Sequence, residues 1–346
     1  MHTTSAPPHA DDAARSGVGG VTTTGLGKRF GDLWALRELN LAVPEGTVLG
    51  LLGHNGAGKT TAIRILTTLS QPTEGTGTVA GFDVLRDAAA IREHIGVASQ
   101  QATVDGLMSA HLNLTTIGRL HGLSKSAATT RADDLLVQLD LTDFATALVR
   151  TYSGGMRRRL DLAASLMGTP EVLFLDEPTT GLDPLSRTHL WDMLSELVRG
   201  GTTVILTTQY LEEADRMADD IVVLDHGRTV AHGTPQELKN RIGDDRLDVK
   251  VASSDDVTRA AAAVAPFADR APALDPERHV ITVPIKPGVR VVEVVRALDD
   301  AGIDAIDVTR REVTLDDVFV TLTGAKPVDD AGPQGEDGED GEERKS

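Results

Sequence analysis

The sequence predicts an α/β fold with a mostly parallel sheet core, and three observations carry that prediction. The first is Gly53-His54-Asn55-Gly56-Ala57-Gly58-Lys59-Thr60, a G-x-x-x-x-G-K-T loop. It sits between an apolar run, Val48–Leu52, and a helical stretch, Thr61–Leu66. Strand, glycine turn and helix start are the context a phosphate-binding loop requires. The second is Val172–Leu175, a continuous apolar run of the kind found in strands covered on both faces. The third is the alternation of such runs with helical patterns from residue 46 to 224, which gives a sheet with helices on both sides.

In chain order, residues 1–20 are polar and small and predict a disordered leader without an apolar signal segment. Val21–Thr24 and Ala35–Val43 predict early strands, and Gln71–Gly81, rich in Gly, Thr and Pro, a turn-rich excursion. Residues 101–168 read as a helical subdomain, with apolar spacing at Leu135, Leu136 and Leu139 and again at Leu160, Ala163, Ala164 and Met167. Thr203–Thr207 predicts another strand, and Ile221–Leu224 with Thr229–Ala231 a closing hairpin. The main domain is expected over 21–240. A small α/β accessory domain follows at 241–325, ending in a helix over Leu315–Leu322 capped by Thr314. Residues 326–346 predict a disordered acidic tail.

Composition limits the function classes. No stretch approaches the roughly 18 apolar residues that span a bilayer. The chain has no cysteine, which removes disulfides, thiol catalysis and thiolate metal sites. Net charge is −18. Residues 328–346 hold eight acids against Arg344 and Lys345, so the tail carries −6 and the rest −12. A body this acidic has no general attraction for nucleic acid.

Chemistry is expected at the loop first. Its glycines let several N–H groups point at one anion, and the helix start adds partial positive charge. Lys59 supplies a full charge for β and γ phosphates, and Thr60 a hydroxyl for Mg²⁺. Asp176-Glu177 ends a strand expected beside the loop strand; an Asp there can orient Mg²⁺ and a Glu can polarise a water. Ser153-Gly154-Gly155-Met156 opens a helix with exposed N–H groups and forms a second anion-binding start. One phosphate loop and a second anion site on another subdomain suggest service to a neighbouring chain. Arg157-Arg158-Arg159 reads as a solvated helix face, with a neighbouring acid within reach of one of them as the alternative, and His54 as a loop side chain near solvent.

This ordered set resembles the ATP-binding subunit of ABC transporters over about residues 21–240. The likeness makes the fold a P-loop NTPase, with GHNGAGKT as Walker A, Val172–Asp176 as the Walker B strand and YSGGM as the signature. It implies Lys59, Glu177 and Gln209 as catalytic residues, with Gln209 where the family usually has His. ATP contacts are implied for Phe30 (stacking on adenine), Gly53, His54, Asn55, Gly56, Ala57, Gly58, Lys59, Thr60, Thr61, Gln100, Ser153, Gly154, Gly155 and Asp183. Mg²⁺ contacts are implied for Thr60, Gln100 and Asp176, with Gln101 the alternative to Gln100. The stretch Thr207–Asp215 and the terminal Thr314–Gly324 are similar to drug-exporter ATPases of the daunorubicin-resistance type. That similarity implies a head-to-tail, ATP-dependent homodimer on a separately encoded membrane permease, at the cytoplasmic face of the cell membrane, with no nucleic-acid partner. The competing class is a non-transport ABC-type ATPase acting on nucleic acid or ribosomes.

Overall fold

The computed structural model describes residues 20–99, 103–208, 210–242, 246–286, 288–311 and 313–323. Residues 1–19 of the expected leader, the acidic tail, Gln100, Gln101 and Gln209 lie outside the described residues. The chain begins with two antiparallel strands, β1 (Val21–Phe30) and β2 (Leu33–Val43). Then come the loop strand β3 (Val48–Leu52) and helix α1 (Lys59–Leu66). The excursion at 71–81 contains a strand, β4 (Glu74–Val79), which pairs with β1 and with the short β5 (Phe82–Asp83). Its sequence, EGTGTV, has no apolar alternation to reveal it; pairing with β1 creates it. These strands form a sheet ordered β2-β1-β4-β5.

The central sheet follows. Helix α2 (Ala88–His94) leads to β6 (Ile95–Ala98). The segment expected to be helical carries α3 (Ala110–Leu120), α4 (Lys125–Gln138) and α5 (Gly154–Ser165). After it come β7 (Val172–Asp176), α6 (Pro184–Arg199), β8 (Thr203–Thr208), α7 (Leu211–Met217), β9 (Asp220–Asp225), β10 (Arg228–Gly233) and α8 (Pro235–Ile242). The sheet order is β10-β9-β3-β8-β7-β6, with all neighbours parallel except the edge hairpin β9–β10. Every residue of β3, β7 and β8 is buried, so these strands cannot show the one-sided alternation of a half-solvated sheet. Successive residues instead feed two cores. Leu173, Leu175, Val204 and Leu206 pack with α3 to α6, while Val172, Phe174 and Ile205 pack with α1 and the first sheet.

One expectation is corrected here. The Asp176 strand does not lie beside the loop strand, because β8 runs between them. The loop and Asp176 still meet, because all three strands run parallel and end at the same edge.

The third sheet is antiparallel and contains β11 (Arg246–Val251), β12 (Ala273–Asp275), β13 (Val280–Pro284) and β14 (Ala305–Arg311) in the order β12-β13-β11-β14. Helices α9 (Ser254–Val264) and α10 (Val291–Asp300) pack on it around Val249, Ile281, Val257 and Leu298. The last helix, α11 (Leu315–Thr323), leaves this unit. Its Leu315, Val318 and Phe319 join Leu211 and Ala214 of α7, Ala218 just after it and Leu238 of α8 in a separate core. Among the described residues no helix is long and apolar enough to cross a membrane.

Candidate functional site

The loop 53–58 leaves the buried end of β3 and turns into α1. Gly58 holds φ at +109°, and a Cβ there would lie 2.6 Å from the Ala35 carbonyl oxygen; at Gly53 a Cβ would lie 2.5 Å from that of Leu224. Only glycine fits these two approaches. Helix α1 begins without a side-chain cap, so its first N–H groups face the loop's concavity. The resulting cavity is about 420 Å³ and is lined by residues 54–61 with Ala35 and Glu177. Backbone donors, an uncapped helix start and one lysine are a donor set that fits a polyphosphate.

Lys59 is 4% exposed. Its Nζ donates to the carbonyl oxygens of Gly53 at 2.6 Å and His54 at 3.2 Å, and Glu177 Oε1 lies 3.8 Å away. Burial holds the ammonium below the usual lysine range, with Glu177 and Asp176 pulling the other way. Thr60 Oγ1 lies 3.2 Å from Asp176 Oδ2. A hydroxyl and a carboxylate at this spacing are hard oxygen donors that suit Mg²⁺.

Between the two strand ends stands Thr207 of β8. Its hydroxyl donates to Asp176 Oδ1 at 2.6 Å and accepts from the Glu177 N–H at 3.0 Å. Glu177 itself holds φ at +50°. A side chain in that region costs about 1–2 kcal/mol, so the surrounding hydrogen bonds must hold it there. The same hydrogen-bond lattice continues outward. The buried Glu213 accepts from the hydroxyls of Thr179 and, at 2.8 Å, Thr208, with Arg187 at 4.0 Å. Burial pushes its carboxyl above the usual range. These contacts tie the turn after β7 to the end of β8 and to α7.

The other expected residues lie outside this cavity. Ser153 caps α5, accepting from the Met156 N–H at 3.2 Å, and both Ser153 and Gly154 are exposed. Asp183 caps α6 in the same way, accepting from Ser186 N at 2.9 Å and from its hydroxyl at 2.6 Å, which holds its carboxyl below the usual range. The two helix starts touch, since a Cβ on Gly155 would lie 3.0 Å from Ser186 Oγ. Phe30 is 57% exposed at the tip of the β1–β2 hairpin and does not line the cavity; Lys28 Nζ sits 5.1 Å from its ring centroid.

His54 stays a loop side chain near solvent, 32% exposed, with Nδ1 2.7 Å from the Asn55 carbonyl oxygen and Nε2 2.9 Å from Asp225 Oδ1 at the end of β9. One expectation changes: the triple arginine is not a solvated face. Arg158 donates to four backbone carbonyls, and Arg159 Nη1 donates to that of Leu139 at 2.8 Å. Thr207, Glu213 and Arg158 carry this architecture and were not expected as site residues. The available signal was a polar residue inside an otherwise apolar strand or helix face.

Residues 36–180 match the family described as ABC transporter. The chain is 51% identical to a daunorubicin resistance ATP-binding protein of Streptomyces coeruleorubidus, over 88% of this chain and 96% of that one. It is 37% identical to the Nod factor export ATP-binding protein I of Ralstonia nicotianae, over 88% and 94%. Among solved structures it resembles a dimeric ATP-binding cassette in a post-hydrolysis state bound to ADP and Pi. That likeness has TM-score 0.58 and 25% identity, over 62% of this chain and 98% of the cassette.

Proposed function

The chain belongs to the family of ABC transporter ATP-binding proteins, and on that premise we propose that it is the ATP-hydrolysing motor of an exporter for a drug-like or hydrophobic compound. The observation that carries the site reading is the convergence of Lys59, Thr60 and Glu177 on one cavity, with Asp176 against the Thr60 hydroxyl, while Ser153–Gly155 opens to solvent elsewhere. A phosphate bound by the loop would lack the second set of N–H donors within one chain. Two copies packed head to tail supply it, each placing its α5 start against the other's loop.

In that arrangement Lys59 and the loop N–H groups orient the β and γ phosphates. Thr60 and Asp176 would hold Mg²⁺, which would supply positive charge against the phosphates. Glu177 accepts the proton of the attacking water. Its carboxylate is steered by the Thr207 contact and the left-handed backbone at its own position. Gln209 senses the γ phosphate, and its amide can donate a hydrogen bond but cannot titrate. ATP favours the closed pair because it is held from both sides, and loss of phosphate reopens it. The permease is a separate membrane protein, and this subunit sits on its cytoplasmic face. Phe30 stacks on the base, and Gln100 reports to the permease.

The test is Glu177→Gln, assayed in the purified chain and with the co-expressed permease. Loss of a positioned base costs about 10²–10⁴-fold in rate. We expect that loss with nucleotide affinity kept, and an ATP-dependent dimer. Hydrolysis at the unsubstituted rate removes Glu177 as the base. Hydrolysis that ignores the permease and responds to nucleic acid or ribosomes replaces export with the non-transport class.

A further inference from the structure

Helix α5 starts at the signature segment and carries Arg158 and Asp161 three residues apart, hence on one face. Both are turned inward; Asp161 is 4% exposed. Arg158 Nη2 donates to the carbonyl oxygens of Asp176 and Glu177, each at 3.0 Å. Its Nε donates to that of Pro178 at 2.9 Å, and Nη1 to that of Ser99 at 2.6 Å. Asp161 Oδ1 accepts from the N–H groups of Thr103 at 2.7 Å and Val104 at 3.3 Å. One guanidinium therefore holds three consecutive carbonyls of the turn that carries Glu177. The two side chains also reach Ser99 on one side and Thr103 and Val104 on the other.

This geometry departs from an ordinary buried ion pair. The Arg158 fork spends its donors on backbone dipoles from two segments remote in sequence. It clamps the turn where Glu177 adopts the left-handed conformation, φ +50°. The Thr207 contacts fix the N–H side of that residue and Arg158 fixes the carbonyl side. The start of α5, at Ser153–Gly155, is thereby joined through a single helix turn to the Glu177 backbone.

We propose that Arg158 is a positioning residue that couples the signature helix to Glu177, so that engagement of Ser153–Gly155 by nucleotide on the facing chain sets the Glu177 carboxylate for hydrolysis. The proposal rests on the reading of Glu177 as the base. Planarity is the point: a lysine ammonium keeps the charge but cannot spread fixed donors over four carbonyls.

The experiment compares Arg158→Lys, Glu177→Gln and Arg158→Lys/Glu177→Gln with the unsubstituted chain. Nucleotide Kd, KM, kcat and the urea midpoint are measured for each. Arg158→Lys should lower kcat by about tenfold or more, leave nucleotide Kd within about threefold, and fail to rescue rate despite retaining charge. In the Glu177→Gln background the same change should add almost no further loss, because both act through one carboxylate. A merely structural arginine would lower the urea midpoint in both backgrounds and leave kcat per folded molecule unchanged; that result overturns the proposal. So does an independent, multiplying loss in the double variant. If Glu177→Gln retains the full rate, the reading of the base fails as well, and the two failures are told apart by the single variants.

Discussion

Replacing Phe319 by Ala should destabilise the nucleotide-binding unit, although Phe319 belongs to the chain's last described helix. Phe319 is 7% exposed and packs in one core with Leu211, Ala214, Ala218 and Leu238. Leu315 and Val318 sit beside it in the same core, at 2% exposure each. Truncating a buried Phe to Ala costs about 3–5 kcal/mol, and the lower figure suits a ring at the rim of its core. With a urea dependence of about 3 kcal/mol per molar, the midpoint should fall by about 1 M. The readout is selective because the two tryptophans, Trp34 and Trp191, both lie in the nucleotide-binding part. The contrasting variant is Val249→Ala, at a fully buried position in the core of the third sheet. It should disturb that sheet and leave the tryptophan-detected midpoint nearly in place. The reasoning is refuted if Phe319→Ala leaves the tryptophan midpoint unchanged, or if Val249→Ala moves it equally.

Two further outcomes follow from single side chains. Thr207→Val keeps the shape but removes a donor to Asp176 and an acceptor for Glu177 N–H; hydrolysis should fall about tenfold or more with nucleotide Kd little changed, and stability should drop by about 1–3 kcal/mol, measured by kinetics and thermal unfolding. The Asp220 carboxylate beside His232, at 2.5 Å, holds the imidazole above the usual histidine value of 6.5. A raised histidine value contributes stability that is fully present below the unfolded value and lost as pH rises through the folded one, so His232→Gln should lower the melting temperature at pH 6 and have little effect near pH 9; an equal effect at both pH values would remove the linkage.

Much of the site was legible because its determinants are local. The glycine loop, Lys59, Thr60 and the strand-end pair Asp176-Glu177 each depend on a few neighbouring residues. The buried strands β3, β7 and β8 were legible too, since covering both faces of a parallel sheet demands unbroken apolar runs. Strand β4 was missed because EGTGTV is made a strand by its partner β1. The triple arginine was misread for a related reason. Charge on a helix normally marks a solvated face, and nothing near Arg158 in sequence foretells carbonyls from Ser99 and residues 176–178.

The chain's order of residues, then, determined the phosphate loop, the strand and helix types around it and the cap at Ser153, because backbone preference and hydrophobic period act over a few residues. Tertiary structure alone decided that β8 and its Thr207 stand between Lys59's strand and that of Asp176. It also decided that α11 returns to cover α7 and α8, and that Arg158 grips the Glu177 turn. Those arrangements join segments far apart in the chain, where burial of apolar faces and the need of buried polar groups for partners select one packing, and no local pattern records the choice.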